Sequence, residues 1–207
     1  MRSVEKALGL LVALEGVDAV GKRTQSSLLS SWLRSNNVAS ESLSFPDYGT
    51  HIGQEIKGFL LGDRTYSAEV RHMLYAVNRW EKKNEIESLR SRSDVLVVNR
   101  YSPSNLAYGI ANGLKLDWLN NLEVGLPEAD LVLVLDAPPS VLSSRKCSNK
   151  DKYELNISLQ EKVRDTYLEL AKEFGWTVIS ADRGIQETHQ VLVAAVSETI
   201  TTRGRPI

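Results

Sequence analysis

Leu8-Gly9-Leu10-Leu11-Val12-Ala13-Leu14 runs directly into Glu15-Gly16-Val17-Asp18-Ala19-Val20-Gly21-Lys22-Arg23-Thr24. The first segment is an apolar strand, and the second carries two glycines with a lysine directly after the second. A helix-forming stretch follows. This is the pattern of a phosphate-binding loop. The glycines let the backbone wrap so that its N–H groups point inward at phosphate oxygens. Lys22 adds a positive charge, and the following helix aims its positive end at the same place. An ordinary strand-to-helix turn is the plainer alternative, and the strand before and helix after weigh against it. The loop reading assigns Gly16, Val17, Asp18, Ala19, Val20, Gly21, Lys22, Arg23 and Thr24 to the phosphates of a nucleotide. In such loops a Ser or Thr directly after the lysine helps hold Mg²⁺; here Arg23 intervenes before Thr24.

The chain has 207 residues, the size of one α/β domain spanning 1–207, able to bury its own core without disulfides. Hydrophobic residues make up 42% and charged residues 25%, the balance of an ordinary globular protein. A net charge of −1 argues against a nucleic-acid surface as the main business. The one cysteine, Cys147, excludes an internal disulfide and a cysteine-based metal cluster. The N-terminal apolar run is too short for a secretory leader, and no stretch reaches membrane-spanning length. A cytoplasmic enzyme with no membrane or nucleic-acid partner is the expectation.

Apolar runs and helical periods alternate along the rest of the chain, as in a parallel sheet covered on both faces by helices. Strands are expected at 8–14, 38–43, 95–99, 131–136 and 177–180. Val95-Leu96-Val97-Val98 and Leu131-Val132-Leu133-Val134-Leu135 lack alternation, as strands buried on both faces do. The clearest helices are 21–35, 67–92, 102–112, 157–174 and 185–201, with Pro103 suited to a first turn. Arg145-Lys146-Cys147-Ser148-Asn149-Lys150-Asp151-Lys152 places four basic residues in eight positions without an apolar anchor. It reads either as a solvated basic loop or as a small mobile lid, about 145–154, that closes cations over reacting phosphates.

Ligands of open parallel sheets bind beyond the carboxyl ends of the strands. That rule gathers the phosphate loop, Phe45-Pro46-Asp47-Tyr48-Gly49-Thr50, the Asn99-Arg100-Tyr101 strand end and the basic stretch around one cleft. Tyr75 and Arg79 are four apart and share a helix face, where a ring and a guanidinium can read a flat heterocycle. A packed aromatic beside a surface arginine is the plainer account of that pair. Arg100, leaving a buried strand, needs an anionic partner, which a phosphate or a carboxylate would supply. Asn105 and Tyr108 stand three apart on the next helix. His51, His72 and His189 show no metal-ligand spacing and read as structural or surface residues, and Trp32, Trp118 and Trp176 as packing.

Taken together these pieces resemble the thymidylate kinase family, which moves the γ-phosphoryl of ATP to dTMP. The matching segments are Leu14-Glu15-Gly16-Val17-Asp18 with Gly21-Lys22-Arg23-Thr24-Gln25, Phe45-Pro46, Asn78-Arg79-Trp80-Glu81, Arg100-Tyr101, Ser104-Asn105-Leu106-Ala107-Tyr108 and Gly125-Leu126-Pro127-Glu128-Ala129-Asp130-Leu131. Lys152-Tyr153-Glu154 and Gln160 resemble the family's segment after its lid. The resemblance implies a P-loop NTPase-type three-layer α/β fold with a five-stranded parallel sheet, helices on both faces and a small lid. It also implies a homodimer.

It assigns roles residue by residue. Lys22 and the loop backbone would hold the ATP phosphates, and Asp18 would face the acceptor sugar and the metal. Tyr75 would stack on thymine, Arg79 would donate to its O4, and Asn105 would address N3. Tyr108 would exclude a ribose 2′-hydroxyl. Phe45, Tyr48 and Arg100 would line the acceptor side, with Tyr48 and Arg100 on its phosphate. Mg²⁺ would be held by Asp18 and Glu154. Two positions depart from the family. Its strand-three motif begins with Asp where this chain has Asn99, and many members place an arginine where this chain has Ala19. A catalytic cation would then come from Arg145 or Arg23. The readings kept beside the dTMP kinase are a catalytically weak nucleotide-binding homologue and a kinase for another (deoxy)nucleoside monophosphate or a deoxynucleoside.

Overall fold

Every pairing among the five strands is parallel, because each strand is followed by helical chain that must cross the sheet before the next one starts. The computed structural model describes residues 8–145 and 156–203. In chain order these form β1 (Leu10–Glu15), α1 (Lys22–Ser35), β2 (Ser40–Ser44), α2 (His51–Leu61), α3 (Ala68–Trp80), α4 (Lys83–Arg92), β3 (Val95–Asn99), α5 (Ser102–Ala111), α6 (Leu116–Glu123), β4 (Leu131–Asp136), α7 (Pro139–Ser144), α8 (Ile157–Phe174), β5 (Thr177–Ser180) and α9 (Ile185–Thr202). The sheet order is β2-β3-β1-β4-β5. All six residues of β1 are buried, as are Val95 to Val98 of β3. Neighbouring residues of a strand face opposite ways, so both sheet faces are covered there. α1 packs on α9, and α5 on α8.

The last three strands match their expected bounds, while the first two start later. Leu8 is exposed, and a side chain at Gly9 would come within 2.6 Å of the Ser93 carbonyl oxygen, so the chain enters the sheet at Leu10. The helix expected over 67–92 is two helices. The Lys82 N–H bonds the Arg79 carbonyl at 3.0 Å, a tightened turn that redirects the chain. The turn lets α3 present Arg79 to the interior while α4 buries Ile86 and Leu89.

α2 and α6 were not expected. In α2 the Thr50 hydroxyl caps the Gly53 N–H at 2.9 Å, and Gly62 closes the helix at φ +93°. Ile52, Ile56, Phe59 and Leu60 keep helical spacing, but its two glycines lower helix propensity. Gly53 is required by close approach, since a Cβ there would sit 1.8 Å from the Asp47 carbonyl oxygen. α6 is only eight residues long and buries one of them, Leu119.

The strand ends set up a site. β1 lies mid-sheet, with β3 and then β2 on one side and β4 on the other, so the loop after it opens where the strand order reverses. Leu14 and Ser44 both pair with Asn99 in register, which brings the loops after β1, β2 and β3 to one level.

Candidate active site

The phosphate loop is held in shape by its own charge. Lys22, 7% exposed, donates from Nζ to the carbonyl oxygens of Gly16 at 2.9 Å and Val17 at 2.7 Å. Gly16 has φ +129°, and a Cβ there would meet the Leu135 carbonyl oxygen at 2.4 Å, so only glycine fits. α1 starts on Gly21 without a side-chain cap, which leaves first-turn N–H groups for an anion. Arg23 and Thr24 are exposed on that first turn.

Beside the loop lies a cavity of about 580 Å³. Asp18, Arg23, Phe45, Tyr48, Tyr75, Arg79, Arg100, Asn105 and Tyr108 all line it, as do His72, Asn99, Tyr101 and Ser104. Arg145 does not. Its guanidinium donates to the carbonyl oxygens of Val20 at 3.0 Å and Ala181 at 2.6 Å, bracing the back of the loop. The remainder of the expected lid, 146–154, and with it Glu154, lies outside the described residues.

Arg100 and Asp18, both lining the cavity, form an ion pair. Asp18 Oδ2 also accepts from the Tyr108 hydroxyl at 2.9 Å and Gln160 Nε2 at 3.0 Å. Burial alone would raise the Asp18 carboxyl, but Arg100, Lys22 and these hydrogen bonds outweigh it and hold the group below its usual value. Asp18 is therefore a carboxylate at neutral pH. Arg100 is stacked over the Tyr108 ring at 5.2 Å, and its backbone is left-handed at φ +60°, a conformation that costs a non-glycine residue about 1–3 kcal/mol.

The group beneath Arg100 was not picked out from sequence. Glu15 ends β1 fully buried, its carboxylate accepting from the Tyr101 N–H at 2.6 Å, the Ser104 hydroxyl at 2.6 Å and the Tyr167 hydroxyl at 2.9 Å. Burial raises its pKa against those hydrogen bonds and the field of Arg100. The available signal was a carboxylate closing a wholly apolar strand. Asn99 Oδ1, at the end of β3, is buried with no hydrogen-bond partner.

The far end of the cavity is built on α3, α5 and the end of α6. Arg79, 3% exposed, is gripped by Glu123 through Nε at 2.9 Å and through Nη2. Asn105 Nδ2 donates to Glu123 Oε1 at 2.8 Å and to the His72 carbonyl at 3.2 Å. The Tyr75 and His72 rings stand 5.9 Å apart. Behind them Asn78 is buried and ties α3 to the loop after β2. It accepts from the Asp47 N–H at 2.7 Å and donates to Thr50 Oγ1 at 2.9 Å. Glu123 and His72 carried no sequence signal toward this site.

Comparison with known proteins agrees with the geometry. The family model described as thymidylate kinase matches residues 14–192. The thymidylate kinase of Plasmodium falciparum is 37% identical over 195 residues, covering 94% of this chain and 92% of that protein. That of Homo sapiens is 32% identical over 197 residues, covering 94% and 92%. Among solved structures, thymidylate kinase from Candida albicans superposes with a TM-score of 0.79 at 29% identity, covering 96% of this chain and 94% of that one.

Proposed function

The chain belongs to the thymidylate kinase family, and from that premise we propose that it transfers the γ-phosphoryl group of ATP to dTMP, giving dTDP and ADP. The observation that carries the reading to individual residues is convergence. Every acceptor-side residue implied by the resemblance lines one cavity, and that cavity opens beside the phosphate loop.

An oxygen of the dTMP phosphate forms the new bond to the γ-phosphorus, and the β–γ bridging oxygen leaves with ADP. The nucleophile is already anionic, so no strong base is needed; positioning and charge stabilisation carry the reaction. The loop N–H groups and Lys22 hold the donor phosphates. Arg23 and Arg100 face the cavity where negative charge spreads in transfer. Asp18 holds Arg100 in place and stays ionised to do so. The Tyr108 ring, pinned by its hydroxyl to Asp18, is the wall against a 2′-hydroxyl. Mg²⁺ bound with ATP would neutralise charge on the phosphate oxygens. The donor set fits it: the Asp18 carboxylate and the unpartnered Asn99 oxygen are ligands a hard cation takes. Arg145 acts here as the loop's brace.

The proposal extends to a homodimer packed through α3, where Val70, Met73, Val77 and Trp80 form an exposed apolar stripe at helical spacing. Among the described residues no helix is long and apolar enough to cross a membrane.

The test is ADP release from ATP with dTMP, dUMP, dCMP or thymidine as acceptor. dTMP should give the highest kcat/KM, with dCMP and thymidine near background. Turnover of thymidine alone would make the chain a deoxynucleoside kinase. ATP binding with silence on every acceptor would make it a nucleotide-binding homologue.

A further inference from the structure

Asn105 is 2% exposed, and both neighbours of its amide nitrogen are pure acceptors: the Glu123 carboxylate at 2.8 Å and the His72 carbonyl at 3.2 Å. Chemistry therefore fixes which end of the amide is nitrogen. The other end, Oδ1, lies 2.7 Å from His72 Nδ1. An oxygen cannot donate, so His72 Nδ1 carries the proton and Nε2 is a bare acceptor. Nε2 is buried with no partner among the described residues. His72 is wholly buried, and that burial pushes its pKa down to about 4, so the ring is neutral at working pH. Arg79 spends Nε and Nη2 on Glu123, which leaves Nη1 to donate elsewhere. Arg79, Asn105 and His72 all line the cavity.

Resting on the dTMP reading, we propose that His72 is a positioning residue for base selection. By donating Nδ1–H to Asn105 Oδ1 it locks that oxygen as an acceptor beside the Arg79 guanidinium. A pyrimidine with a 4-oxo group and an N3–H meets both: the oxo accepts from Arg79, and N3–H donates into the second lone pair of Asn105 Oδ1. A 4-amino pyrimidine turns a donor toward the cation and a lone pair toward the oxygen, and is rejected at both contacts. A flipped amide would relax that choice. The flip is blocked twice, since it would set N–H against His72 N–H and oxygen against Glu123.

Two measurements test this. In ¹⁵N-histidine-labelled protein without ligand, the His72 signal, assigned by its loss in His72→Asn, should report a neutral ring protonated on Nδ1 at pH 7. A ring protonated on Nε2, or charged, overturns the lock. The second measurement is kcat/KM with dTMP and with dCMP. His72→Leu removes the donor and should lower the dTMP/dCMP ratio about tenfold, the size of one mis-set hydrogen bond. His72→Asn, whose side-chain N–H can reach the place of Nδ1, should keep the ratio within about threefold of the natural protein. Equal losses on both nucleotides in His72→Leu would reduce His72 to packing and overturn the proposal. If the leucine variant does not fold, the asparagine variant and the ring's protonation state decide. A natural protein that ignores dTMP defeats the functional reading instead, while the protonation state still decides the lock.

Discussion

Asn99 ends β3 at the edge of the cavity, with its side-chain oxygen buried and unpartnered. A buried acceptor left without a donor costs about 1–3 kcal/mol, which a cation or a held water can repay when nucleotide binds. An aspartate at this strand end would offer a full negative charge there. Asparagine offers an oxygen dipole and an N–H₂ that repels cations. The natural protein should therefore be active but need more Mg²⁺ than an Asn99→Asp variant. One charge-assisted contact is worth about 1.5–3 kcal/mol, so at limiting Mg²⁺ the variant should be roughly ten- to a hundredfold faster. Initial rates against Mg²⁺ concentration, at saturating ATP and dTMP, check this. A variant slower at every concentration would mean that asparagine is tuned to this site. The sequence marks position 99 as a departure from the family, but its unpaired state comes from packing, which depends on neighbours distant in the chain.

The joint between the loop after β2 and α3 turns on Asn78. Its side-chain oxygen accepts from the Asp47 N–H, and its two amide N–H bonds are shared among the Asp47 carbonyl, Thr50 Oγ1 and Glu81 Oε1. Lys82 adds an ion pair to Asp47 at 2.7 Å. Asn78→Ala would leave the Asp47 N–H without its acceptor, since the Asp47 carbonyl keeps Thr50, and should cost about 1–3 kcal/mol, or roughly 3–9 °C in Tm for a chain of this size. Because the joint carries Phe45 and Tyr48, the KM for the acceptor should rise while that for ATP holds. An unchanged Tm would show that the loop finds its place without Asn78. This joint also shows where sequence reading stops. The strands of unalternating apolar residues were legible because burial on both faces demands that composition. The break at Glu81 and Lys82 was not, because it is imposed by what α3 and α4 must each bury. Arg79 was legible as a donor. Its partner Glu123 ends a helix of only eight residues, too short to be marked out from sequence, and their pairing joins elements 44 positions apart, so the grip on Arg79 was invisible.

Across the whole molecule the centre of the fold rests on a carboxyl placed against its own solvation. Glu15 joins β1 to α5 through Ser104 and to α8 through Tyr167, whose ring meets Tyr108 edge-on at 6.5 Å. Burial raises its folded pKa above the ordinary 4.5. A carboxyl raised on folding binds more protons in the folded chain, so its contribution to stability falls as pH rises from about 4.5 through the folded value. Asp18 has the opposite sign. Its folded value lies below the ordinary 3.8, so its contribution is present above that pH and lost only as pH falls through the folded value. The two windows do not overlap, and a single variant can separate them. In Glu15→Gln an oxygen can still accept from the Tyr101 N–H, and the amide N–H₂ can donate to the hydroxyls of Ser104 and Tyr167, which rotate to accept. Urea unfolding from pH 4.5 to 8 should then show the variant gaining on the natural protein as pH rises, with the two closest at the acid end. Parallel curves across that range would mean that Glu15 takes up no proton on folding, and that Arg100 with the three donors balances the cost of burying its charge.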